Sequence, residues 1–235
     1  MSDVTLIIDG QLITVPQGAT ILQAARRLDK QIPTVCYHPH FTPPSLCRVC
    51  VVEVENARVL APACSRIVEN GMRVQTDSAR VQRARKVLLE LLDSTVDLSD
   101  APEIQAYANA YGAEPARYGD QIKRRAFPLF DDNPFYIRDY TKCIMCWRCV
   151  QACGEDAQYT FAIHRAGRGF DAHIATFENV PLPESTCVYC GNCVQACPSG
   201  ALKPRREYWL EHGLDLKELA RVSQLERREK SGDAK

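Results

Sequence analysis

Two eleven-residue stretches, CIMCWRCVQAC over 143–153 and CVYCGNCVQAC over 187–197, repeat one spacing, Cys-x2-Cys-x2-Cys-x3-Cys. Four more cysteines lie upstream, making 12 in 235 residues. The N-terminal MSDVTLIIDG lacks a basic region followed by a long apolar core, so no signal peptide is predicted. The longest greasy run, VLLELL, is far too short to cross a bilayer. A cytoplasmic chain is therefore expected. Reducing compartments rarely hold structural disulfides, and thiols this numerous point to metal.

The repeated spacing is that of paired 4Fe–4S sites. Three thiolates on a tight turn hold three corners of a cube, and the fourth points away to the cube of the other repeat. This assigns Cys143, Cys146, Cys149 and Cys197 to one cluster and Cys153, Cys187, Cys190 and Cys193 to the other. The exchange ties together a segment too short to fold securely on apolar burial alone. Pro198 follows the second run, whereas Gly154 follows the first. Ile144, Val150, Ala152, Val188, Val194 and Ala196 suit a dry pocket. Lys142 and Arg148 could raise a nearby potential, but are read as solvated surface charge. The alternative, structural zinc, usually shows separated Cys-x2-Cys pairs rather than two matching runs.

The rest of the chain reads as α+β. Residues 1–78 form a small mixed domain. VTLIIDGQLITV is a hairpin signal, with Asp9-Gly10 suited to a type I′ turn and Val4, Leu6, Ile13 and Val15 on one face. TILQAARRLDK offers a helix with Thr20 and Gln23 as a capping box and Ile21, Leu22, Ala25 and Leu28 on one side. A Pro- and Cys-rich loop and the strand CVVEVE complete the ingredients of a β-grasp ferredoxin. Residues 79–135 are a connector, opening with an amphipathic helix that presents Val81, Ala84, Leu88 and Leu91. Its aromatics Tyr107, Tyr111, Phe127, Phe130 and Phe135 are read as inter-domain packing. Residues 136–205 hold the repeat, with GRGF (167–170) as a tight hairpin between its halves. Residues 206–235 are a polar, partly helical tail whose Leu214, Leu216, Leu219 and Val222 form either a docking arm or a solvated face. Lysine plus arginine equals aspartate plus glutamate at 29 each, which gives no support to a nucleic-acid or anionic-membrane partner.

The upstream cysteines follow Cys36-x10-Cys47-x2-Cys50-x13-Cys64, a longer first gap than the plant-type 2Fe–2S spacing. Spacing alone leaves zinc or unligated buried cysteine open. PTVCYHP, LCRVCVVEVE and APACS resemble the 2Fe–2S domain shared by the large iron–sulfur subunit of respiratory complex I, NAD-reducing hydrogenases and formate dehydrogenases. That resemblance implies a 2Fe–2S cluster on Cys36, Cys47, Cys50 and Cys64. Those families usually carry Gly where this chain has Ser45. His38 and His40 flank the loop and raise a Rieske-type alternative; four cysteines already satisfy the centre, so both are read as structural. Twelve thiols then make three four-thiolate clusters, leaving none for nucleophilic catalysis.

In the same families a further 4Fe–4S site with one His and three Cys follows, ending Cys-Glu-Leu-Gln shortly before Tyr-Gly. Here PEIQAYANAYG places Pro102 where the last cysteine would stand. No His or Cys occurs between Cys64 and Cys143, so the resemblance implies a lost site on a retained scaffold. FYIRDYTKCIMCWRCVQACGE, YTFAIHRAGRGFDAHI and ESTCVYCGNCVQACPSGAL are similar to the iron–sulfur region of NAD-linked molybdenum or tungsten formate dehydrogenase alpha subunits, with iron-only hydrogenases closely related. Their large catalytic domain has no counterpart in the short polar tail, and no Gly-x-Gly-x-x-Gly follows a strand. The resemblance thus implies a hetero-oligomeric electron-transfer subunit that is not catalytic alone. It would work between a flavin-containing NAD(P)H subunit and a separate catalytic subunit, with formate dehydrogenase first. A hydrogenase or another NAD(P)H–ferredoxin oxidoreductase is the alternative. From other classes come a zinc-stabilised binding module and a labile-cluster redox sensor; the sensor requires an output domain that the sequence does not display.

Overall fold

The computed structural model describes residues 2–121, 123–215, 217–218 and 220–221. The chain begins with β1 (Asp3–Ile8) and β2 (Gln11–Pro16), paired antiparallel with Val4 opposite Val15 and Leu6 opposite Ile13. Asp9 and Gly10 have φ of 49° and 81°, the two left-handed residues that a type I′ turn requires. The Asp9 carboxylate also accepts the Thr76 N–H and hydroxyl at 2.7 and 2.6 Å, pinning the hairpin tip to the end of the domain. In α1 (Ile21–Arg26), Thr20 Oγ1 accepts the Gln23 N–H while Gln23 Oε1 accepts the Thr20 N–H, as the capping box predicts. Ile21, Leu22, Ala24 and Ala25 are fully buried against the sheet. With β3 (Val51–Val54), β4 (Ala61–Pro62) and β5 (Arg73–Gln75), the strand order is β2-β1-β5-β3-β4. Only the central β1–β5 pair is parallel. A helix laid on such a mixed sheet is the expected β-grasp.

The connector differs from its sequence reading in which face it buries. In α2 (Ala79–Thr95), Val81, Arg85, Leu89, Glu90 and Ser94 are buried, while Ala84 and Leu88 are half-buried and Leu91 is exposed. The predicted stripe is rotated because the helix is gripped from two sides, and its buried charges are engaged by distant residues. Arg85 donates to Tyr111 Oη at 2.7 Å and to Val51 O at 2.9 Å. Glu90 accepts the Glu114 N–H at 3.1 Å and pairs with Arg117 at 3.0 Å. Beyond it α3 (Pro102–Ala110) opens with proline in its first turn, where a missing N–H costs nothing. Val35 and Val49 from the N-terminal domain meet Leu89, Leu98, Ala101 and Ile104 in one apolar cluster, with Tyr107, Tyr111 and Ile144 packed against it. The connector is therefore core, not tether.

The C-terminal half is built on a small antiparallel sheet in which β7 (Tyr136–Asp139) lies between β6 (Leu129–Phe130) and β10 (Leu202–Pro204). Helices α4 (Arg148–Cys153) and α5 (Asn192–Ala196) pack on each other. Between them, β8 (His164–Ala166) and β9 (His173–Ala175) form the expected hairpin, joined by six residues rather than a tight turn. Gly167 is needed there: φ is 70°, and a Cβ would lie 2.6 Å from Asp171 O. Phe127 and Phe130 pack into the core as expected, whereas Phe135 is exposed. Finally α6 (Arg205–Glu211) is anchored by Lys203, which bridges Glu211 at 2.6 Å and Asp100 at 3.0 Å. Leu216, Leu219 and Val222 of the suggested docking arm lie outside the described residues. Among the described residues no helix is long and apolar enough to cross a membrane.

The rotated face of α2 can be checked by chemical denaturation. Glu90→Ala strips the acceptor from Arg117 and the Glu114 N–H and should cost about 3 kcal/mol. Leu91→Ser, on the face the sequence favoured, should cost less than about 0.5 kcal/mol.

Candidate iron–sulfur centres

The two cysteine runs fold alike. Two residues after the first cysteine, and again just after the second, the backbone turns left-handed: Met145 and Trp147 at φ 55° and 68°, Tyr189 and Gly191 at 55° and 80°. Such conformations cost non-glycine residues about 1–2 kcal/mol each and persist only where the surroundings enforce them. The turn brings N–H groups onto sulfur. Met145 N donates to Cys143 Sγ at 3.4 Å, Tyr189 N to Cys187 Sγ at 3.4 Å, and Ala162 N to Cys153 Sγ at 3.2 Å. Hydrogen bonds to cluster sulfurs are one of the levers that set reduction potential.

The fourth cysteine of each run is drawn to the other group. Cys197 acts electrostatically on Cys143, Cys146 and Cys149, and Cys153 on Cys187 and Cys193. The first run is deep: Cys143, Cys146, Cys149 and Cys153 are all buried. The second is shallower, and Cys190 is exposed. Burial pushes the Cys143 thiol up to about 11, Cys146 and Cys193 to about 12, and Cys149 well above its usual value. Thiols in such places stay protonated at neutral pH unless a metal takes the proton's place. A hollow with almost wholly apolar walls lies against Cys153, Cys187, Cys190 and Cys193, lined by Ala162, Ile163, Leu182 and Val194.

At the N-terminal domain, Cys36, Cys47, Cys50 and Cys64 come together as two touching pairs. The Cys36 and Cys47 N–H groups each donate to the other's sulfur, at 3.4 and 3.5 Å. The side-chain contact with Cys47 lowers Cys36, and that with Cys50 lowers Cys64, while the same contacts raise Cys47 and Cys50. Ser45 sits at φ 55°, the conformation that favours the glycine of the resembling families. Its hydroxyl lies 2.5 Å from Ser65 Oγ and 3.9 Å from Cys64 Sγ. His38 stacks on Phe41 with ring centroids 4.3 Å apart, and His40 donates its N–H to His38 Nδ1, which is local loop work.

Two residues read as solvated charge are not. Lys142 is buried and hydrogen-bonded to Asp100. Arg148 is half-buried and donates to Tyr37 O at 2.6 Å. Beside it, Thr42 donates through its N–H and hydroxyl to the two Asp156 carboxylate oxygens, both at 2.9 Å, and Gln151 donates to Thr42 O. The N-terminal cysteine loop is thus seated directly on α4. Nothing local in the sequence signals this, because the partners are more than a hundred residues apart.

The donor set fits iron–sulfur groups: clustered thiols, apolar walls, N–H groups directed at sulfur, and Arg148 Nε buried with no partner.

Comparison with known proteins agrees. Residues 2–79 match the 2Fe-2S iron-sulfur cluster binding domain, and residues 142–201 match the 4Fe-4S dicluster domain. The chain is an iron–sulfur protein, with one 2Fe–2S domain followed by a domain for two 4Fe–4S clusters. It is similar to the NADP-reducing hydrogenase subunit HndD of Solidesulfovibrio fructosivorans, 39% identical over 228 residues, covering 89% of this chain and 37% of that protein. It is also similar to the mitochondrial NADH-ubiquinone oxidoreductase 78 kDa subunit of Candida albicans, 31% identical over 185 residues, 75% of this chain and 25% of that one. The chain therefore spans well under half the length of these curated relatives. Among solved structures, a chain of an NAD+-reducing [NiFe]-hydrogenase in the H2-reduced state superposes with a TM-score of 0.75 at 26% identity, covering 87% of this chain and 88% of that chain.

The exchange of fourth cysteines expected from the sequence can be tested directly. Cys197→Ser should abolish the cubane signal of the buried group and spare the other, with iron falling from about ten toward about six atoms per chain. Loss of the cubane assigned to Cys187, Cys190 and Cys193 would show that each run keeps its own fourth ligand.

Proposed function

We propose that this protein is a one-electron relay within an NAD(P)-linked oxidoreductase complex in the cytoplasm, passing electrons between a flavin-containing NAD(P)H subunit and a separate catalytic subunit. The observation that carries the reading is continuity. The Cys36 loop is hydrogen-bonded to α4, and Cys153 at the end of α4 borders the apolar hollow beside Cys187, Cys190 and Cys193. Cys36, Cys47, Cys50 and Cys64 hold the 2Fe–2S cluster. Cys143, Cys146, Cys149 and Cys197 hold one cubane, and Cys153, Cys187, Cys190 and Cys193 the other. When bound, the clusters supply reversible one-electron redox; the protein supplies spacing, dryness and hydrogen bonds to sulfur. The two ends of the series reach the surface. Leu46, beside Cys47, is exposed, and so are Cys190 and its neighbour Val188. On this reading the flavoprotein docks near Leu46 and the catalytic subunit near Cys190.

The residue-level resemblance across 135–202 favours a molybdenum or tungsten formate dehydrogenase as catalytic partner. A second reading, a hydrogenase, is favoured by the end-to-end superposition on a hydrogenase chain and by the 39% identical hydrogenase subunit. Purification of the native assembly without oxygen should yield a brown complex containing a flavoprotein. A co-eluting molybdopterin or tungstopterin subunit supports formate chemistry, and a nickel–iron or iron-only hydrogen-activating subunit selects the hydrogenase reading. A colourless chain purified alone with zinc would overturn the relay altogether.

A further inference from the structure

Arg148 lies between two cysteine cages. It stands between Cys146 and Cys149 in the buried run, and its guanidinium donates to the carbonyl of Tyr37, the residue after Cys36, at 2.6 Å. Its Nε–H is buried without an acceptor. Among the described residues no carboxylate is paired with it, and the neighbouring Asp156 has both oxygens engaged by Thr42. A cation half withdrawn from water with no counter-charge is unfavourable unless negative charge arrives beside it. Four-thiolate iron–sulfur clusters bring that charge, and each becomes more negative by one on reduction.

We propose that Arg148 is an electrostatic tie between the 2Fe–2S centre and the buried cubane: it raises the reduction potential of both and holds the Tyr37 carbonyl against α4, fixing the gap an electron must cross. One electron leaves one centre as one enters the other, and no proton or third reactant takes part. Arg148 is a positioning residue, since its effect is exerted through the clusters. The inference rests on the iron–sulfur reading proposed above.

The test is an EPR-monitored redox titration of the full chain, wild type against Arg148→Gln, Arg148→Met and Arg148→Lys. In the two neutral variants the reduced-to-oxidised ratio at a fixed potential should fall about tenfold, ~59 mV, for the binuclear and the buried cubane signals. The surface cubane should move much less, and Arg148→Lys should restore most of the shift. Thr42→Val, which removes the hydroxyl's hydrogen bond to Asp156 without changing charge, should leave all three potentials in place. Unshifted potentials in neutral variants that hold all three clusters would overturn the proposal, as would equal shifts in Arg148→Lys and Arg148→Gln. So would failure of both neutral variants to assemble clusters while Arg148→Lys succeeds, which would make Arg148 an assembly residue. If the wild type itself shows no cluster signals, it is the underlying iron–sulfur reading that falls.

Discussion

The C-terminal half of this protein depends on a crossing of thiols. Cys153 ends α4 but is drawn to the group on the second run, and Cys197 follows α5 but is drawn to the group on the first. Neither helix is longer than six residues. Helices that short have little stability of their own and hold their shape only through tertiary bonds. The left-handed turns at Met145, Trp147 and Tyr189 add strain that local contacts would not repay. Metal–thiolate bonds reaching from each run to the other, as proposed, would supply what apolar burial cannot in so small a unit. The fold of this half and its cofactors are one problem.

The N-terminal domain is stabilised differently. Leu6, Ile8, Ile21, Leu22 and Val52 form a closed core under a capped helix, and the cysteine loop is an outgrowth of that frame. Between the halves, Val35, Val49, Leu98, Ala101, Ile104 and Ile144 pack into one apolar cluster. Beside it the Cys36 loop meets α4 directly through Arg148 and Gln151.

Much of this is legible in the sequence because it is local. The Asp9-Gly10 turn, the Thr20–Gln23 box and the cysteine spacings each have their meaning within a dozen residues. Even the left-handed turn at Ser45 is foreshadowed by the glycine that resembling families place there. The errors arise where the deciding partner is remote. Leu88 and Leu91 look like the buried face of α2, but Tyr111, Val51, Glu114 and Arg117 pull Arg85 and Glu90 inward instead. Lys142 and Arg148 look solvated until Asp100 and Tyr37 are brought beside them. Charge in a sequence shows where a residue can ionise; only tertiary structure shows what it faces.

The most direct measurement of the central claim is a Mössbauer spectrum of native protein grown on iron-57 and purified without oxygen. Three thiolate-held centres require about one fifth of the iron in a binuclear cluster and the remainder in cubanes. Iron confined to a single cluster type, or its replacement by zinc in material that has never met oxygen, would contradict the account.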